Sequence, residues 1–269
     1  RFRRAAVPSL LIAGLVLGAA AAAPLVGRMT GRTPPPSYQR MTFRSGSGLI
    51  FSARFGADGR TVVYSAALGG RPSELFLTEA GSHESRPMGL TDARLLALSS
   101  TNEMAVLLKP EIAAWYIHRG TLAQAPLAGG VPRELLEDVE DADWSPNGES
   151  LAVIRDVGGR YRLEYPTGKV LYETETWIGS LRFSRDGKWL AFERDSRELR
   201  MPDPVTKEER LLAKGVFDTP PLVDSRDYVW SPDSKYIAFL TAGAKAFQNI
   251  CIVPDAGGEA RPATFLSHT

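Results

Sequence analysis

The chain holds 269 residues, 43% hydrophobic and 23% charged, with 25 glycines and 19 prolines, the balance of a turn-rich globular protein rather than a disordered one. Its 32 basic and 31 acidic residues give a formal net charge of +1, but five of the arginines fall in residues 1–32, where there is no acid. The rest, with 27 basic against 31 acidic side chains, is mildly acidic and lacks the Lys/Arg run that engages a phosphate backbone, which excludes nucleic acid as a partner. One cysteine, Cys251, rules out an internal disulfide, and with the scattered His83, His118 and His268 it makes no zinc set. No cofactor or metal is expected.

In chain order, residues 1–4 carry Arg1, Arg3 and Arg4 and read as a cytoplasmic flank. Residues 5–26 follow, 22 residues without a charge and 17 of them apolar; as a helix rising about 1.5 Å per residue they span the hydrocarbon core of a membrane. The preceding arginines orient this single span with its N-terminus in the cytoplasm and the body outside, although Arg28 and Arg32 pull the other way. A cleaved export signal is the competing reading. Residues 19–23 offer small-residue cleavage sites, but the apolar stretch is longer than the roughly 7–15 residues of a signal.

Gly14 and Gly18 form a small-xxx-small pair that lets two such helices pack as a homodimer; the plainer reading is the ordinary frequency of glycine in membrane helices. Residues 27–38, with Pro34, Pro35 and Pro36 in a row, make a stiff extended spacer. A globular body occupies residues 39–269.

That body is repetitive. Phe55-Gly-Ala-Asp58-Gly59, Trp144-Ser-Pro146-Asn147-Gly148, Phe183-Ser-Arg-Asp186-Gly187 and Trp230-Ser-Pro232-Asp233-Ser234 superpose, and a degenerate copy, Leu98-Ser-Ser-Thr-Asn102, is one residue short. The turn positions Gly59, Asn102, Gly148, Gly187 and Ser234 are 43, 46, 39 and 47 residues apart, the period of propeller blades. The motif has a local chemistry: an aromatic residue ends a strand, proline presets φ, and Asp/Asn-Gly supplies a side-chain acceptor and a residue with φ > 0.

An alternating apolar run follows each turn, at residues 61–64, 104–108, 151–154, 190–192 and 237–240, which predicts the second strand of a hairpin. Two further strands complete each unit, as at residues 198–201 and 208–212, or 248–253 and 259–265, with Asp203-Pro204, Ala128-Gly129-Gly130 and Asp255-Ala-Gly257-Gly258 as turns. The expected fold is all-β: a β-propeller of four-stranded antiparallel blades, five of them written in the chain. Gln39-Arg-Met-Thr-Phe43 is similar to the last fourth strand, Ala260-Arg-Pro-Ala-Thr-Phe265, and no first to third strands precede it. It is therefore expected to complete a further blade whose other strands come from the C-terminal side, tying first to last and protecting sheet edges.

At these motifs, Trp230 to Phe239 above all, the body resembles the TolB-type, WD-like propeller repeat family over residues 39–269. The resemblance implies six blades, five of them present and the ring truncated at the C-terminus, and an exported protein. Gly56-Ala57 in place of Ser-Pro, Arg185 in place of Pro and the short second unit depart from the pattern. Residues 39–173 resemble more narrowly the extracytoplasmic propeller of bacterial membrane-anchored serine/threonine protein kinases, while residues 188–269 resemble the N-terminal propeller of tricorn-like serine peptidases. The first implies a non-catalytic sensor or protein-interaction propeller on the periplasmic side of the inner membrane, binding a protein or small ligand at its loop face. The alternatives are a substrate-gating peptidase propeller and a TolB-like periplasmic scaffold.

Catalytic signatures are missing from the sequence. Ile117-His118-Arg119-Gly120 lacks the kinase aspartate, there is no Asp-Phe-Gly and no G-x-S-x-G, and Ser45-Gly-Ser-Gly48 reads as a linker. Trp115, Tyr116 and His118 form an aromatic cluster placed on a loop by the second unit's insertion, with strand-edge packing as the plainer reading. Cys251 reads as a buried strand thiol. Asp141, Asp143 and Asn147 invite a calcium reading, but the glycine and distal glutamate of an EF-hand loop are missing, and the turn alone accounts for them. Charged residues 133–138 and 207–210 read as solvated faces.

Overall fold

The hairpin motif sets the architecture. In the computed structural model the described residues are 48–114, 117–195, 198–203, 205, 206, 208–214, 228–242 and 248–264, all within the compact unit Met41–Thr269. Residues 5–26 with Gly14 and Gly18, residues 27–38, the strand expected at 39–43, Trp115 and Tyr116 lie outside them. Among the described residues no helix is long and apolar enough to cross a membrane.

Nineteen strands are present among the described residues. The first sheet is β1 (Gly48–Phe55), β2 (Thr61–Leu68), β3 (Glu74–Glu79) and β4 (Ser85–Thr91), antiparallel in that order. The fourth unit is β12 (Ile178–Phe183), β13 (Leu190–Arg194), β14 (Glu198–Pro202) and β15 (Glu209–Lys214), and the fifth is β16 (Tyr228–Trp230), β17 (Tyr236–Ala242), β18 (Gln248–Pro254) and β19 (Arg261–Pro262).

The second and third units are not separate sheets. They form one seven-stranded sheet of β5 (Ala93–Leu98), β6 (Glu103–Ala114), β7 (Ile117–Pro126), β8 (Arg133–Trp144), β9 (Leu151–Val157), β10 (Arg160–Glu164) and β11 (Val170–Thr174). The reason is β8, whose first half pairs with β7 (Gln124 opposite Arg133) and whose second half pairs with β9 (Trp144 opposite Leu151). No proline or glycine breaks residues 133–144. Asp138 at φ 59° and a bulge between Val139 and Asp141 instead bend a continuous strand. One strand thus serves as the outer strand of one blade and the inner strand of the next.

The turns carry the same internal bonding. The N–H groups of Gly56, Ser145, Ser184 and Ser231 donate to the carbonyls of Thr61, Ser150, Trp189 and Tyr236, five residues on, at 2.7–2.9 Å. In the short second unit Ser99 donates to Glu103, four residues on, at 2.8 Å. Gly59, Asn102, Gly148, Gly187 and Ser234 all have φ between 60° and 73°.

Blades pack flank to flank, each neighbouring pair enclosing an apolar layer. Val63 and Leu75 meet Met104 and Val106; Ala105 and Leu107 meet Leu151 and Val153; Ile154 and Leu163 meet Leu190 and Phe192; Leu199 and Met201 meet Ile237 and Phe239. Strand alternation makes this possible, since neighbouring residues of each second strand face opposite sheets. Burial of one such Leu, Ile or Phe stabilises by about 1.5–3 kcal/mol. The inner strands β1, β5, β8, β12 and β16 follow one another in chain order, and their free faces position the site.

Candidate functional site

The motif residues Phe55, Asp58, Gly59, Trp144, Pro146, Asn147, Gly148, Phe183, Asp186, Gly187, Trp230, Pro232 and Asp233 sit at the hairpins joining each inner strand to the second strand. Three of these turns share one scheme: Ser145, Ser184 and Ser231 Oγ donate to Asn147 Oδ1, Asp186 Oδ1 and Asp233 Oδ1 at 2.6–2.7 Å. In the first turn, where Gly56 replaces the serine, Asp58 accepts instead from the Thr61 hydroxyl at 2.7 Å and from the N–H groups of Arg60 and Thr61 at 2.9 Å. Those bonds, the hydroxyl's first, lower its carboxyl to about 2.

Turns of neighbouring units also touch. Ser100 Oγ donates to Pro146 O at 2.9 Å and Asp186 N–H donates to Ser234 Oγ at 3.0 Å, while a Cβ on Gly148 would stand 2.9 Å from Thr101 Oγ1. The motif therefore lays down a row of linked turns across the blades.

Asp141 and Asp143 do more than belong to a turn, which corrects the sequence reading. Asp141 Oδ2 accepts from Leu181 N–H at 2.7 Å and Asp143 Oδ2 from Phe183 N–H at 2.8 Å, while their Oδ1 atoms cap Ala142 and Trp144 N–H. Two carboxylates on β8 thus clasp the inner strand β12 of the next sheet. Burial raises both pKa values, against the pull of Arg182 and of these N–H donors. Among the described residues no His/Cys/Asp/Glu group is arranged to hold a metal ion.

Beside this clasp lies a cavity of about 120 Å³. It is lined by Phe51, Ser52 and Arg54 of β1, Arg94 to Leu96 of β5, Glu140 and Asp141 of β8, and Gly179, Ser180 and Arg182 of β12, with Trp177, Leu107, Ile117 and His118 around them. The set has a simple origin. Counting back from Phe55, Leu98, Trp144 and Phe183, positions four and three residues earlier hold Phe51/Ser52, Arg94/Leu95, Glu140/Asp141 and Gly179/Ser180. Equivalent positions on consecutive inner strands face one space.

The charged side chains there are organised. The Arg94 guanidinium stacks over the Phe51 ring at 3.9 Å, and that ring lies 6.1 Å from His118. Glu140 Oε1 accepts from Arg119 at 2.8 Å and its Oε2 from Trp177 Nε1 at 3.1 Å; Arg119 also reaches Asp156 at 2.8 Å. Burial raises the Glu140 pKa against these donors. At Arg119 burial opposes the charge, but Glu140 and Asp156 outweigh it and raise its pKa. Ser52 Oγ donates to Leu95 O at 2.6 Å, joining β1 to β5.

His118 occupies a strand, paired with Ile112 across the extended β6–β7 hairpin, rather than a loop. Cys251 is half-buried on β18 against the layer between the fourth and fifth blades. Arg54, Arg94, Arg182, Glu140 and Trp177 were not singled out from the sequence. The signal that finds them is the strand register counted back from each motif aromatic.

The four-stranded sheets, their flank packing and the linked hairpins define a β-propeller of TolB-like fold. Solved structures agree: TolB from Acinetobacter baumannii superposes with a TM-score of 0.59 at 17% identity, over 79% of this chain and 56% of that one. The putative TolB from Agrobacterium tumefaciens gives 0.56 at 15% identity over 80% of each chain, and a prolyl endopeptidase gives 0.53 at 16% identity over 80% of this chain and 36% of that one. The chain thus spans little more than half the length of the first of these. No protein-family model and no curated protein matches the sequence.

Proposed function

We propose that this chain is a non-catalytic sensing or interaction propeller, held outside the cytoplasm by residues 5–26, which reads a ligand or partner at its inner-strand cavity. The observation that carries this reading is the cavity itself, where aromatic and charged side chains from four consecutive blades converge on one space. Its two lining carboxylates are engaged by Arg119, Trp177 and backbone N–H groups, an arrangement suited to recognition rather than proton transfer.

Within this reading the protein is a single-pass bacterial inner-membrane kinase with a periplasmic propeller, and occupancy of the cavity biases pairing of the helices through Gly14 and Gly18. The support is the charge pattern around residues 5–26 and the resemblance of residues 39–173. In a membrane two-hybrid assay, Gly14→Ile with Gly18→Ile is expected to weaken self-association; unchanged association removes the glycines from the mechanism. A kinase domain encoded upstream of Arg1 sustains the kinase assignment. A start codon within a few residues of Arg1 transfers the lead to a TolB-like scaffold or a peptidase gate, readings favoured by the fold shared with TolB and prolyl endopeptidase structures.

A further inference from the structure

We infer that the propeller face opposite the linked turns is a lipid-contact surface, laid against an anionic bilayer by the start of β1 and the end of the β6–β7 hairpin. The inference rests on the reading of residues 5–26 as a membrane span and does not depend on what the cavity binds. Strand register defines the face. The inner strands β1, β5 and β12 run from Gly48, Ala93 and Ile178 toward their turns, so their first residues lie at the end away from those turns. β6 comes back from its turn, reaches Leu108 opposite Ala93 and continues to Ala114 before β7 returns from Ile117. Residues 109–114 thus run past the start of β5, about 20 Å along the strand.

This overhang is apolar and uncovered. Residues 111–114 are exposed, Ile112 to 70%, and the one acid among them, Glu111, stands opposite Arg119. The sequence between the two strands adds Trp115 and Tyr116, residue types that concentrate at membrane–water interfaces. β1 brings Leu49 and Ile50, 59% and 48% exposed, to the same face. It meets the hairpin where the Phe51 ring lies 6.1 Å from His118, the residue opposite Ile112. At the turn face the exposed apolar side chains Phe55, Val131 and Val205 stand singly on three blades, as scattered surface apolar residues do on soluble proteins.

Two features of the chain select lipid as the occupant. Residues 27–47, which join the apolar run to β1, carry Arg28, Arg32, Arg40 and Arg44 and no acid, a charge drawn to anionic headgroups. They also enter the propeller at Gly48, on this face. The tether that holds the body at the bilayer therefore makes the hairpin's contact an intramolecular one, for which weak apolar contacts suffice. A soluble partner gains neither advantage.

The test is photolabelling of the full chain in vesicles of phosphatidylcholine and phosphatidylglycerol, with a tracer lipid carrying a diazirine on its acyl chain and the labelled peptides identified by mass spectrometry. Peptides covering residues 5–26, 48–52 and 111–119 are expected to carry lipid. Peptides covering residues 127–132, which begin at the turn face where Leu127 N–H donates to Asn102 O at 2.9 Å, are expected to carry none. Ile112→Glu, at an exposed position that leaves the core intact, should lower labelling of 111–119 about fivefold with that of 5–26 unchanged. Labelling of 5–26 alone overturns the lipid-contact face, sustains the span and leaves the hairpin to a soluble partner. Labelling of 111–119 without 5–26 sustains the face and overturns the span. Equal labelling of 111–119 and 127–132, or labelling of 111–119 that Ile112→Glu does not lower, overturns the face, and no labelling anywhere overturns both.

Discussion

The first and fifth blades are built on one repeat, yet their outward flanks differ. Counted from each turn residue, the side chains three and five positions on pack toward the preceding blade and those four and six on toward the following one; in the short second unit the count is one less. On the first blade the preceding flank is closed: Val62, Tyr64, Ala66 and Phe76 are buried, Tyr64 to 2% exposure. The following flanks of the first four blades are closed as well, by Val63 and Ser65, Ala105 and Leu107, Ala152 and Ile154, and Ala191 and Glu193. On the fifth, the equivalent Ala238 and Leu240 are half-buried, and Val229 and Ile250 on the same flank are 60% and 41% exposed. The same alternation writes both flanks, so the pattern specifies which residues face a neighbouring sheet without specifying how completely that neighbour covers them.

This contrast is broken or upheld most sharply by charge insertion. Ile154→Asp buries an unpaired carboxylate between two sheets and should cost about 4 kcal/mol or more, whereas Leu240→Asp should cost under about 2 kcal/mol. Urea unfolding of the two variants measures the difference, and an equal cost would mean that the fifth flank is as tightly closed as the third.

A smaller effect separates the turns. Gly148 and Gly59 both adopt left-handed backbone, φ 72° and 64°, so alanine at either should cost about 1–2 kcal/mol. At Gly148 the new Cβ also meets Thr101 Oγ1 at 2.9 Å, while at Gly59 nothing lies within 4 Å. Gly148→Ala should therefore lose a further 1–3 kcal/mol or so by overpacking the contact between blades. Equal thermal midpoints for the two variants would show that the linked turns yield freely.

The smallest effect is in the acid limb of stability. Asp58, held at about 2 against an ordinary 3.8, is ionised in the folded turn at pH values where the unfolded chain begins to protonate. Its contribution is complete above the unfolded value and lost as pH falls from near 3.8 toward 2. Asp58→Asn should flatten that part of the stability profile by lowering stability above the unfolded value, the neutral region included, and leave the acid end below the folded value nearly unchanged. An unaltered acid limb would place the dependence on other carboxylates.

Much of the scaffold was readable in the chain because its signals are local. The Ser/Gly to Asp/Asn turn closes within five residues through its own side chains, and even the missing residue of the second unit appears as a bond one residue shorter at Ser99. The shared strand β8 was not readable: residues 133–144 look like a fourth strand followed by a first, and only pairing with β7 on one side and β9 on the other shows them to be one. The cavity was hidden for a related reason. Arg54 and Arg182 each precede a motif aromatic and Arg94 stands in a degenerate unit, so none is unusual in its own segment.

By itself, then, the sequence determined the repeat, the hairpins and the apolar faces, because a turn residue with φ > 0 and a period-two strand depend on neighbours a few positions away. Only the tertiary structure decided that Asp141 and Asp143 reach backbone N–H groups 40 residues on, and that three arginines and three aromatic rings from separate segments line one space. Those outcomes depend on which strand stacks beside which, and burial rather than chain order then raises the pKa values of Glu140, Asp141 and Asp143.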